Sequence, residues 1–192
     1  MNKKKIDKKI NDNFFINLAR NRKTTYEFSD KKINDADINK ILEAGRWAPS
    51  CTNAQPWQFI IIKNKETIKK LMMTANYGDF HTDPSLIIAP ILLEEMCSGK
   101  GYACFRGKMS RVYDSYISIG MVALNMTLQA RALGIDSCIV TPTEADAKDI
   151  LKVRKKDAVP LLVGFGYQKD KAFQKKRERK KLSEITSYEF FS

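Results

Sequence analysis

Between Trp47 and Phe59 the chain reads WAPSCTNAQPWQF, a stretch dense in groups that can hold a ligand without reacting with it. Ser50, Thr52, Asn53 and Gln55 supply donors and acceptors together, and Pro49 and Pro56 stiffen the backbone while removing two competing amides. Such a set suits a flat ligand with polar edges. It equally suits a helix-to-strand turn whose side chains satisfy only their own backbone. Metal chemistry is poorly provided for. His81 is the single histidine, and Cys51, Cys97, Cys104 and Cys138 show no paired spacing. No metal is expected, and the cysteines read as thiols, with Cys138 in DSCIVT a small core residue.

The elements that must position these groups follow from periodicity and punctuation. Phe14 to Ala19 continues a helical pattern, and NRKTTYEFSD after it reads as a loop or short extended piece. NDADINKILEAGRW predicts a helix capped by Asn34 or Asp35, with Ile38, Ile41 and Leu42 as its apolar stripe, stopped before Pro49. WQFIIIK is a strand, KETIKKLMMTA a short amphipathic helix and LIIAPILL a buried strand. Glu94 to Arg111 reads as a loop or lid. Tyr113 to Leu133 is a helix apolar nearly all round, with Ile117, Met121, Leu124 and Leu128 on one face, and Gly134 ends it. A helix of that kind needs cover on several sides, within the domain or at a subunit interface. SCIVT is a third strand, TEADAKDILKV a helix capped by Thr143, and AVPLLVGFGY a fourth strand. Strands alternating with helices indicate an α/β or α+β layered domain. GFGYQK lacks the third glycine of a dinucleotide loop and follows the last strand rather than opening a βα unit.

The 192 residues fit one domain, or one protomer of an intertwined pair, with residues 1–13 as a basic extension and 183–192 as a tail. A net charge of +12 is concentrated at the ends, in NKKKIDKK and KKRERKK. No RNP-type aromatics, zinc finger or GXXG loop accompany it, so nucleic-acid binding is not expected as the main task. No apolar run reaches the roughly 18–20 residues of a membrane span, and the N-terminal residues lack a secretory apolar segment. Membrane association is not expected, and a cytoplasmic location is the default.

Read together, four stretches resemble the FMN-dependent nitroreductase family in order and spacing. The family's opening Arg-x-Ser-x-Arg/Lys-x-Phe is met as Arg22-Lys23-Thr24-Thr25-Tyr26-Glu27-Phe28, and its Ala-Pro-Ser-x-x-Asn-x-Gln-Pro-Trp is reproduced in full from Ala48 to Trp57. The long helix ending in LQARALGIDSC, and a late Gly-Tyr followed by basic residues and Leu-x-Glu-Ile, complete the set. The likeness runs from about Asn17 to Ile185. It implies an α+β fold, a mixed sheet flanked by helices in an intertwined homodimer, with FMN at the interface and the tail resting on the partner protomer. The activity implied is that of an oxidoreductase that takes hydride from NADH or NADPH onto flavin N5 and reduces a small planar acceptor, a nitroaromatic or quinone, in two half-reactions. No side chain need act as acid or base. A protein that binds FMN with little turnover, for storage or sensing, is the alternative. A dehalogenase-like or flavin-fragmenting member is a further one.

The resemblance assigns residues. Arg22 and Thr24 bind the FMN phosphate, Lys23 adds charge beside them, and Arg179 is the second phosphate arginine, with Arg177 as fallback. Pro49, Ser50, Cys51, Asn53 and Gln55 touch the flavin ring or ribityl chain, some of them from the opposite protomer. Thr141, Pro142 and Thr143 bring backbone groups beside N5. Tyr26 is a departure, because the family usually has a cation there, facing the N1/O2 edge. Losing it removes a Coulomb interaction of up to ~4 kcal/mol at about 4 Å and a dielectric of about 20. A flavin potential below that of relatives keeping the cation is therefore expected. Gln168, where proline commonly follows Gly-Tyr, reads as inconsequential.

Overall fold

The computed structural model describes residues 13–75, 80–94 and 108–191. Most of the N-terminal extension and the centre of the expected lid, with Cys97 and Cys104, lie outside them.

Local signals set the element ends. Helix α1 (Phe14–Asn21) gives way at Arg22, whose backbone turns extended. Helix α2 (Asp35–Arg46) begins at Asn34, whose side chain accepts from the Asp37 amide at 2.8 Å. Asn64 does the same for Thr67 at the start of α3 (Lys65–Met73), after strand β1 (Trp57–Ile62). Such caps are worth about 1 kcal/mol each. Strand β2 (Leu86–Leu92) is buried at all seven positions, as its unbroken apolar run required. Helix α4 (Lys108–Ala132) is followed by β3 (Asp136–Val140), α5 (Glu144–Leu151) and β4 (Leu162–Gly166).

The strands pair antiparallel in the order β1-β2-β4-β3, and the parallel component of the expected mixed sheet is an isolated bridge from Thr24 to Ser137. Alternation divides the core. Ile87, Ala89, Ile91, Cys138 and Leu162 face α3 and α5, while Leu86, Ile88, Val163 and Phe165 face α2 and α4. The class is α+β, as expected.

The glycines of GFG serve close approach rather than nucleotide binding. A Cβ on Gly164 would stand 2.7 Å from Cys138 Sγ and 2.8 Å from Pro84 Cγ, and one on Gly166 would stand 2.7 Å from Phe28 Cδ1. Phe28 is thereby laid flat over the end of β4, which draws residues 22–28 against the sheet.

Three expectations need correction. Helix α4 begins five residues before Tyr113, at Lys108. Its inner face is Ile119, Val122, Ala123, Met126 and Ala130, fastened to α2 by Asn125 Nδ2 donating to Ala44 O at 3.2 Å. Ile117 (58 % exposed) and Leu124 (48 %) therefore do not share the burial of Leu128, because among the described residues α4 is covered on one side only. Thr143 precedes α5 without a side-chain cap, its hydroxyl reaching Thr74 O instead. Among the described residues, no helix is long and apolar enough to cross a membrane.

Candidate cofactor-binding site

Residues 22–28 leave α1 and run beside the chain that follows β4. Ser29 N donates to Tyr167 O at 2.7 Å, Lys169 N to Glu27 O at 3.0 Å and Phe173 N to the Glu27 carboxylate at 3.1 Å. Arg177 Nη1 then reaches Arg22 O at 2.6 Å. Asp136 anchors this ribbon, accepting from Gln168 N at 3.0 Å and from Arg131 at 3.2 Å. Two segments some 150 positions apart in sequence are thus held in antiparallel register.

The ribbon brings the charges of Arg177 and Arg179 within reach of the Arg22 guanidinium. Burial first, then the charges of Arg177 and Arg179, hold the Arg22 pKa below its ordinary value. Among the described residues none of the three has a carboxylate partner. Like charges gathered without a counterion form a donor set suited to a phosphate dianion, whose oxygens the guanidinium fork matches. Arg179 and its fallback Arg177 both act on Arg22, the first through its charge and the second also through the Arg22 carbonyl. Thr24 stands beside them, half-buried and bridged to Ser137.

Lys23 behaves differently. Its ammonium donates to Gln168 Oε1, away from the arginines, as the alternation of an extended chain dictates. Gln168 is consequently not inconsequential: a proline there could neither donate to Asp136 nor accept from Lys23. Thr25 is fully buried, and its hydroxyl has no partner among the described residues.

The Pro49–Gln55 stretch forms a tight exposed turn around a short 3-10 segment, Cys51–Asn53. Thr52, Asn53 and Gln55 all adopt left-handed backbone, at φ 52°, 56° and 49°. For Thr52 and Gln55 this costs about 1–2 kcal/mol each, and for Asn53 less. Ser50 holds the turn closed, its hydroxyl accepting from Gln55 N at 2.9 Å and its carbonyl from Asn53 N at 3.0 Å. Part of the polar content is therefore spent locally, while Cys51 and the Asn53 side chain remain on the surface. Strain kept at a polar surface turn is a recurrent mark of binding sites.

At residues 141–143 the backbone narrows the choice. Pro142 has no N–H, and that of Thr143 donates to Thr74 O at 2.9 Å, which leaves Thr141 as the one amide of the three without a partner among the described residues. Tyr26 meets an aromatic surround that the sequence did not announce. Its ring centroid lies 5.2 Å from that of Phe80 and 6.2 Å from that of Phe173, and Lys175 Nζ stands 5.2 Å from the Tyr26 centroid. The only hint was the every-second-residue spacing of Phe173, Lys175 and Arg177 in AFQKKR.

Among the described residues, no hydrogen bond or ion pair joins the arginine cluster, the 49–55 turn and residues 141–143. They are separate patches of one protomer. A cavity of about 800 Å³ does exist, but it lies behind Phe28, between Ile33, Lys63, Thr82 and Leu86, and none of the expected site residues lines it. No three His, Cys, Asp or Glu side chains gather among the described residues as a metal site would require.

Comparison with known proteins supplies the wider frame. The sequence model of the Nitroreductase family matches residues 19–79. An Archaeoglobus fulgidus protein provisionally named NADH dehydrogenase/NAD(P)H nitroreductase is 32 % identical over 162 residues, covering 81 % of this chain and 86 % of its own. A nitroreductase family protein from Clostridium difficile 630 superposes with a TM-score of 0.77 at 27 % identity, over 92 % of this chain and 99 % of the other. A provisionally named nitroreductase from Desulfovibrio desulfuricans, solved in complex with FMN, gives a TM-score of 0.76 at 22 % identity, over 95 % of this chain and 100 % of the other.

Proposed function

The chain belongs to the nitroreductase family, and from that premise we propose that it is an FMN-dependent oxidoreductase acting as a homodimer. The observation that carries the cofactor assignment is the Arg22, Arg177 and Arg179 cluster, three cations without a carboxylate partner among the described residues. Arg22 and Arg179 would grip the phosphate, with Arg177 holding the Arg22 backbone in place, and Thr24 would add a hydroxyl.

Bound FMN would supply the redox chemistry, accepting hydride from NADH or NADPH at N5 and then reducing a small planar acceptor such as a nitroaromatic or quinone at the same place. The turn from Pro49 to Gln55 would form a wall of the ring site, its strained backbone presenting Cys51, Asn53 and Gln55 outward. Of residues 141–143, Thr141 would be the backbone donor to N5, since Pro142 has no N–H and that of Thr143 is spent on Thr74 O.

Dimerisation would assemble patches that one protomer leaves apart. Tyr113, Tyr116, Ile117 and Leu124 form an exposed stripe along α4, and Tyr188, Phe190 and Phe191 leave the tail uncovered. A second copy laid along α4 would cover the stripe, bring its own turn towards the arginines and give the tail a surface. The NAD(P)H nitroreductase name of the archaeal relative supports the choice of reductant.

A visible spectrum of the purified protein, with the released chromophore identified, tests this directly. About one FMN per chain is expected, bleached by NADH or NADPH and restored by nitroaromatic or quinone acceptors. A colourless protein that takes up no added FMN would overturn the proposal. Slow bleaching with tight FMN would favour an FMN-holding protein with little turnover. Tyr26 would place a neutral residue at the ring edge, and that lends the second reading its support.

A further inference from the structure

Tyr26 is flanked from two distant segments, and one of them brings a positive charge. Lys175 is carried there by the ribbon. Phe173 is tied to Glu27 on one side of it and Arg177 to Arg22 on the other, so residue 175 falls level with Tyr26. Its ammonium rests against the ring face at 5.2 Å from the centroid, the seat a cation prefers on an aromatic. Lys23, the nearer lysine in sequence, is committed to Gln168.

An FMN anchored at the arginines would have its ring within reach of this pair. Ordinary bond lengths put that ring about 9 Å from the phosphorus. Tyr26 is four residues from Arg22, at most ~13 Å along an extended chain. The phosphate carries the same charge in both redox states, so the arginines bind both alike. The ring gains negative charge on reduction, and a cation near it favours the reduced state alone.

Resting on the FMN reading above, we propose that Lys175, seated on Tyr26, is the cation that sets the difference in affinity between reduced and oxidised FMN. The charge that position 26 lacks is delivered from the C-terminal segment. The flavin potential is accordingly not lowered by the full amount that Tyr26 alone would suggest.

The test compares the FMN-loaded wild type with Lys175→Gln, Lys175→Arg and Tyr26→Leu, measuring the dissociation constant of oxidised FMN and the midpoint potential. Lys175→Gln is expected to weaken reduced FMN about tenfold relative to oxidised FMN, a fall of about 30 mV for a two-electron couple. Lys175→Arg should hold the wild-type potential, and Tyr26→Leu, which removes the seat, should lower it. An unchanged potential in Lys175→Gln overturns the proposal while leaving the FMN site intact. Equal weakening of both redox states also overturns it, since Lys175 would then serve the phosphate. A wild type that binds no FMN removes both readings together.

Discussion

Arg22→Ala takes away the most buried guanidinium of the cluster, and with it charge-assisted hydrogen bonds worth about 1.5–3 kcal/mol each. FMN affinity should fall about 10- to 100-fold on that scale. The fold should survive, because Arg22 is tied to its neighbours through its backbone. Fluorescence titration with FMN beside a thermal melt separates the two effects. Thr25 predicts the opposite kind of result. Its buried hydroxyl has no partner among the described residues, so Thr25→Val replaces an unsatisfied polar atom with a methyl of like size. A gain of about 1 kcal/mol in unfolding free energy is expected, with FMN affinity unchanged. A loss on urea denaturation would mean that the hydroxyl has a partner after all.

Strands β3 and β4 carry a prediction about alkaline pH. Cys138 is buried against Gly164, and desolvation pushes its thiol pKa from 9.0 up to about 12. The neutral thiol is the folded form, so the contribution of this group is intact below pH 9 and is lost as the pH climbs towards 12. By about pH 11 the loss should be on the order of 2–3 kcal/mol. The urea midpoint of the wild type should therefore fall more steeply above pH 9 than that of Cys138→Ala; parallel slopes would count against a buried thiol here. Much at this scale was legible in the chain. Asn34 and Asn64 announce their helices because a cap is a local device, and LIIAPILL announces a buried strand because its apolar run is unbroken. The roles of Gly164 and Gly166 were hidden, since each depends on a residue far away in sequence. The same holds at the site. Arg22 and Arg179 could be named from motif position, whereas the Lys23–Gln168 tie and the approach of Lys175 to Tyr26 exist only because the ribbon sets position 168 beside position 28.

For the whole molecule, the apolar stripe on α4 and the bare tail call for a partner, and a second copy is the economical one. Light scattering should give a dimer at micromolar concentration. Leu124→Glu, which sets a charge on the exposed side of α4, should shift it towards monomer and weaken FMN binding in parallel. A fully monomeric variant with undiminished FMN affinity would mean that one protomer holds the cofactor alone. The most direct test asks what the three arginines are for. Equilibrium binding of FMN should be compared with that of riboflavin, the same ring and ribityl chain without the phosphate. FMN is expected to bind at least about 100-fold more tightly, with the advantage largely gone in Arg22→Ala. Equal affinities for the two ligands, or no binding of either, would contradict the assignment of Arg22 and Arg179, braced by Arg177, as the phosphate site and the function built on it.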